Sequence, residues 1–302
     1  MPNQEEQRGL DLFEAARRFN VPFNKEVRPR SIQVGTGGLD FHCLEWGEPE
    51  GPAILLLHGV AQQAHSWDFV SLALADRFRV VAMDARGHGD SQWPPDGDYS
   101  IEAHQSDLDA FVDALGLRDF ILIGHSMGGR SAYVFASRRP ELLKALVIVD
   151  TGPQTTSTGA RRIRQFVTLP DALDSYEEFA LRVQEYTGRP AWMVHGSLQH
   201  AIRQMPNGKW SWKYDKAIRS PDFNPPTWPA DRLWQCLESI SCPVMVVRGA
   251  NSDVFAEETM DRMMELIPDC SGAVVPNAGH LVPGDNTKGF LDAIEPLLKR
   301  VG

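Results

Sequence analysis

Five short stretches of this chain are almost unbrokenly apolar: Ala53–Leu57, 78–83, 120–123, 145–149 and 243–247. A run without polar alternate positions has no face to offer water. Each is therefore read as a strand buried on both sides, the mark of a parallel sheet. The runs stop at His58-Gly59, Asp84, Gly124, Asp150 and Arg248-Gly249. Helical patterns separate them. One covers 101–115 behind Ser100, a good N-cap. Another opens at Ser126 and continues through 131–137, and two more cover 256–267 and 287–298. This alternation predicts an α/β fold with a mostly parallel central sheet flanked by helices.

Segments 31–34 and 39–46 alternate well enough for two further strands, joined by the turn Gly35-Thr36-Gly37-Gly38. Ahead of them, Leu10, Leu12, Phe13, Ala16 and Phe19 recur at near-helical spacing. Residues 1–30 thus form an N-terminal helical extension, read as a packing appendage or else as a lid or dimer contact. The stretch 151–241 breaks the strand–helix rhythm. It holds helical patterns near 161–167, 175–186 and 191–203, and a Pro- and Trp-rich segment at 221–228, but no buried-strand run. It reads as a helical cap inserted between two strands, leaving 31–150 and 242–302 as the core.

With 302 residues, 42% of them hydrophobic, the chain can bury a large core. Its 40 acidic against 30 basic residues give a formal net charge of -10, which argues against nucleic acid or an anionic membrane as partner. Cys43, Cys236, Cys242 and Cys270 fit no zinc or CxxC spacing and read as structural thiols in a reducing compartment. The charged N-terminus lacks the apolar centre of a secretory signal, and no apolar stretch is long enough to span a bilayer. The expected location is cytoplasmic.

Gly124-His125-Ser126-Met127-Gly128 follows a buried strand and opens a helix. That is the context a G-x-S-x-G nucleophile turn requires: a sharp bend, a strained serine, and glycines where backbone approaches closely. A serine hydroxyl needs a general base. His280, in Pro276-Asn277-Ala278-Gly279-His280-Leu281, follows the last apolar strand and can reach the C-terminal edge of the sheet. The acid that orients it is read as Asp253, which follows the strand after the cap and completes the order Ser126, Asp253, His280. Asp150 also ends a strand and is the alternative, in which case Asp253 caps a helix. An oxyanion hole needs two backbone N–H groups, assigned to Met127 and to Val60 after His58-Gly59.

Assembled, these residues resemble the α/β-hydrolase family with a helical cap. The resemblance runs from about Ser31 to the C-terminus. It is carried by Leu57-His58-Gly59, by Asp84-Ala85-Arg86-Gly87-His88-Gly89-Asp90-Ser91, by Gly124 to Gly129, by Arg248-Gly249 to Asp253, and by Gly279-His280. It implies a serine hydrolase, with carboxylic ester cleavage through an acyl-enzyme as the leading activity. Hydrolysis of a carbon–carbon, lactone or amide bond, perhydrolysis, and a receptor role for a small molecule remain alternatives, because the fold hosts all of these. Arg86 and His88 are read as holding loops together.

Tryptophans crowd the cap, and Trp192, His195 and Trp212 are the candidate substrate contacts. Arg161, Arg162, Arg164, His200 and Arg203 are further candidates for a substrate carboxylate, or else solvated helix faces. The expected partner is a small-molecule substrate, bound by a monomer or homodimer. The chemistry calls for no cofactor and no metal.

Overall fold

The computed structural model describes residues 10–302, so the first part of the expected N-terminal helix lies outside the described residues. The strands are β1 (Arg30–Gly35), β2 (Asp40–Trp46), β3 (Ala53–Leu57), β4 (Arg79–Met83), β5 (Phe120–His125) and β6 (Leu143–Val149), then a hairpin of β7 (Ile202–Gln204) and β8 (Trp210–Trp212), then β9 (Val244–Gly249) and β10 (Cys270–Val275). The helices are α1 (Leu12–Arg18), α2 (Asp68–Leu74), α3 (Ile101–Ala114), α4 (Met127–Arg138), α5 (Ser157–Val167), α6 (Tyr176–Thr187), α7 (Ala191–Ala201), α8 (Lys216–Arg219), α9 (Ala230–Glu238), α10 (Glu257–Leu266), α11 (Val282–Asp285) and α12 (Thr287–Val301).

Eight strands form one sheet in the order β1-β2-β4-β3-β5-β6-β9-β10. Only β2 pairs antiparallel with both neighbours, and the rest of the sheet is parallel. The pleat explains the unbroken apolar runs. Leu55 and Leu57 of β3 face a core shared with Phe111, Tyr133, Phe135 and Met263. Ile54 and Leu56 face the opposite core with Trp67, Leu74, Phe290 and Ile294. Helices therefore cover both faces, and neither set of side chains meets water. Ser100 caps α3 by accepting from the Ala103 N–H at 3.2 Å.

From β3 the chain crosses to β4 on one side and then to β5 on the other. The crevice above the carboxyl ends of β3 and β5 is where such sheets bind ligands.

The segment expected as one helical cap divides in two. Helices α5, α6 and α7 with the β7–β8 hairpin close around their own cluster, which includes Val167, Phe179, Val194, Leu198 and Trp212. Helix α9 instead sends Leu233, Trp234 and Leu237 into the main core beside α4. The hairpin was not expected: each strand has three residues, too few for an alternation to stand out. The four cysteines are free, and burial pushes the Cys43 thiol up to about 12, so it stays protonated. Among the described residues no helix is long and apolar enough to cross a membrane.

Candidate active site

The turn from β5 to α4 is built by what its glycines omit. A methyl on Gly128 would collide with the carbonyls of Leu57 and His58, and one on Gly124 with the backbone of Gly128 and Gly129. Removing both side chains lets α4 start against the ends of β3 and β5. Ser126 sits at the apex with φ 53° and ψ -115°, a conformation rarely adopted by a residue with a side chain. Its hydroxyl caps no helix N–H. It meets His280 Nε2 at 3.0 Å.

His280 Nδ1 donates to Asp150 Oδ2 at 2.8 Å, which leaves Nε2 free to accept from Ser126. The residue orienting His280 is thus Asp150, and the expectation of Asp253 is corrected. The register shows why. His125 of β5 lies opposite Val149 of β6, so the next residues, Ser126 and Asp150, leave adjacent strands at the same level. Asp150 is fully buried, with φ 51°. Its carboxylate also accepts from the Gly249 N–H at 2.8 Å and the Ser252 hydroxyl at 2.5 Å. Asp253 lies four residues beyond the end of β9, past the turn through Ser252. There it faces Arg162 of α5 at 3.1 Å, half-buried, and its carbonyl accepts from the Thr156 hydroxyl. It ties the cap to the core.

Gly59 packs against Ser126, a Cβ at Gly59 falling 3.1 Å from that of the serine. The loop is pinned from both sides. His58 Nδ1 donates to the Gly59 carbonyl at 2.8 Å, and its Nε2 accepts from the Ala85 N–H at 3.0 Å. One nitrogen donates and the other accepts, so the ring is neutral, as its burial also requires. Gln62 Oε1 accepts from the Gly59 N–H at 2.8 Å and lies 2.9 Å from His125 Nδ1, while His125 Nε2 lies 2.8 Å from the His280 carbonyl, so the neutral ring donates to one of these two acceptors. Gln62 and His125 stand between the loop after β3 and the loop that carries His280. Nothing in the sequence singles out Gln62, since its partner is 63 positions away.

Below this level, Arg86 grips both oxygens of Asp107 and the Asp98 carbonyl, the loop-holding role expected of it. His88 donates from Nδ1 to the Arg86 carbonyl and is fully buried. Burial first, then the neighbouring His58 ring, pulls its pKa down to about 3 from 6.5. Below about pH 6.5 the unfolded chain takes a proton that the folded chain refuses, so stability falls as pH drops toward 3. The expected slope from this ring is about 1.4 kcal/mol per pH unit at most. Urea unfolding at pH 7 and pH 5 measures it. His88→Asn, which keeps a donor for the Arg86 carbonyl, should lessen the slope by about one proton. An unchanged slope would remove His88 from the account.

A cavity of about 260 Å³ opens above Ser126 and His280. Its walls are mainly apolar and include Phe69, Phe166, Trp192, Met193, Leu198 and Trp212. Val60 lines it too, as do Leu10, Leu12 and Ala15 of the N-terminal extension. The extension is held there by Phe19 stacked on Phe69 at 5.7 Å and by Arg18 over Trp192 at 4.9 Å. Of the three candidate substrate contacts, Trp192 and Trp212 reach the cavity. His195 does not: it lies flat against Tyr176 at 5.4 Å, and the Tyr176 hydroxyl donates to its carbonyl.

The sequence profile of the alpha/beta hydrolase fold matches residues 52–287. An N-formylmaleamate deformylase of Pseudomonas putida is 32% identical over 88% of this chain and 95% of its own length. An sn-1-specific diacylglycerol lipase of Mus musculus is 30% identical over 86% of this chain and 85% of its own. Among solved structures, an esterase of Mycobacterium tuberculosis superposes with a TM-score of 0.78 at 26% identity, covering 96% of this chain and 99% of that one.

Proposed function

The chain belongs to the α/β-hydrolase fold family, and on that premise we infer that it is a serine hydrolase cleaving a carboxylic ester with an apolar acyl group through an acyl-enzyme. One observation carries this reading: Ser126 Oγ stands 3.0 Å from His280 Nε2 on the floor of an apolar cavity. His280 takes the hydroxyl proton as Oγ attacks the ester carbonyl carbon. The imidazolium that forms is stabilised by the Asp150 carboxylate, which has no exposed surface through which water could screen it. The developing oxyanion is received by the N–H groups of Val60 and Met127. Collapse expels the alcohol, protonated by His280, and a water activated by the same ring releases the acid.

Trp192 and Trp212 form part of the acyl wall. Similarity to a lipase and an esterase supports ester chemistry. Similarity to a deformylase makes amide cleavage the comparison to run beside it. A fluorophosphonate should label the intact chain once, on the peptide containing Ser126. A panel of p-nitrophenyl esters, amides and diketones should then favour the esters. Labelling elsewhere would overturn the nucleophile, and faster turnover of amides or diketones would overturn the ester.

A further inference from the structure

The same cavity is lined by a second group of polar side chains besides Ser126 and His280. His65, in the short 3-10 helix Ala64–Trp67, and Asp68, which opens α2, come from the core. His200 comes from the last turn of α7 in the cap. All three line the cavity. Each offers a ligand atom, and these atoms lie within 4.8 Å of one another. The His65 and His200 rings stack at 3.6 Å between centroids, tilted by 17°. His65 Nδ1 lies 2.9 Å from Asp68 Oδ2, so an ion between them takes the place of the proton that they share. The other carboxylate oxygen, Asp68 Oδ1, is buried without a hydrogen-bond partner.

A buried oxygen without a donor is costly, and a cation bound beside it would offset that cost. A comparable triplet elsewhere shows the contrast. Asp84, near His42 and Asp90, already accepts from the His42 ring and from the N–H groups of Ala64 and Asp90, so neither of its oxygens lacks a partner.

We propose that His65, Asp68 and His200 form a binding site for a divalent transition-metal ion, zinc foremost, that pins cap helix α7 to the core at the cavity mouth. Two imidazoles and a carboxylate suit zinc and its first-row neighbours, with a fourth position left for water. One ion cannot lie in the planes of two rings stacked 3.6 Å apart. Ligation at about 2.0–2.1 Å therefore turns one ring out of the stack and draws the ends of α7 and α2 together. An ion there narrows the entrance to Ser126. Binding itself does not depend on the hydrolase reading, and only the effect on turnover does.

The probe is Co2+, titrated into the full chain and followed by its visible ligand-field absorption, with Zn2+ then displacing it. One ion per chain should bind, and Zn2+ should raise the melting temperature. His65→Gln and His200→Gln should each weaken binding by about a hundredfold. His280→Ala should leave it intact. No Co2+ spectrum in the parent chain, a spectrum indifferent to both Gln variants, or one lost with His280→Ala would each overturn the site. If a variant melts early, the other and Asp68→Asn serve in its place. Zn2+ that binds without slowing ester turnover would overturn the closing of the mouth.

Discussion

Replacing Ser126 with Ala should lower kcat on a p-nitrophenyl ester by about a million-fold, to the level that binding and the oxyanion donors sustain without a nucleophile. The loss is large because the hydroxyl is the reacting atom, and no neighbouring group can take its place at the tip of the turn. The fold should be indifferent to the change. The Ser126 hydroxyl meets only His280, and its backbone is held independently by the N–H bond to the Val149 carbonyl at 3.0 Å. Alanine meets the same φ as serine did. Its melting temperature should therefore match the parent's, within the roughly 0.5 kcal/mol expected of a substitution that disturbs no packing. Steady-state kinetics and calorimetry on the same preparation read both quantities. A variant retaining a sizeable share of the parent rate would move the nucleophile elsewhere.

The sheet was legible because burial on two faces leaves a signal that neighbouring residues cannot disguise. Ala53–Leu57 and 120–123 have no polar position for a solvent face to use, and the structure puts them side by side at its centre. The cap was harder to read. The β7–β8 hairpin is three residues a side, and α9 looks like its neighbours in sequence while its apolar face serves a different core. Whether a helix packs on the cap or the sheet depends on partners far along the chain, which local periodicity does not encode.

Ser126 and His280 stand out in the sequence because each follows a strand whose end is marked, and the fold sets them 3.0 Å apart. The acid divided two aspartates by chain order, a rule about sequence, where the deciding quantity is register. Asp150 stands one residue beyond the pair His125–Val149, and no count along a single chain displays that alignment. Gln62 and the cavity wall supplied by Leu10, Leu12 and Ala15 were hidden for the same reason.

The two aspartates can be separated by experiment. In Asp150→Asn the side chain keeps one oxygen where there were two. If that oxygen stays on the Gly249 N–H, the new amide NH2 faces His280 Nδ1 and the Ser252 hydroxyl. An NH2 cannot accept from Nδ1–H, so the ring is driven to the tautomer with its proton on Nε2. That nitrogen then points a hydrogen at Ser126 and cannot take one from it. The expected loss is about ten-thousandfold in kcat, with much less change in KM because the cavity walls are untouched. Asp253→Asn removes a half-exposed ion pair with Arg162 and leaves His280 as it was. Its stability should change by less than about 1 kcal/mol and its kcat by little. Measuring kcat for both variants beside the parent tests the pairing directly. A large loss in Asp253→Asn with a mild one in Asp150→Asn would return the orienting role to Asp253 and require the loop after β9 to swing inward during turnover.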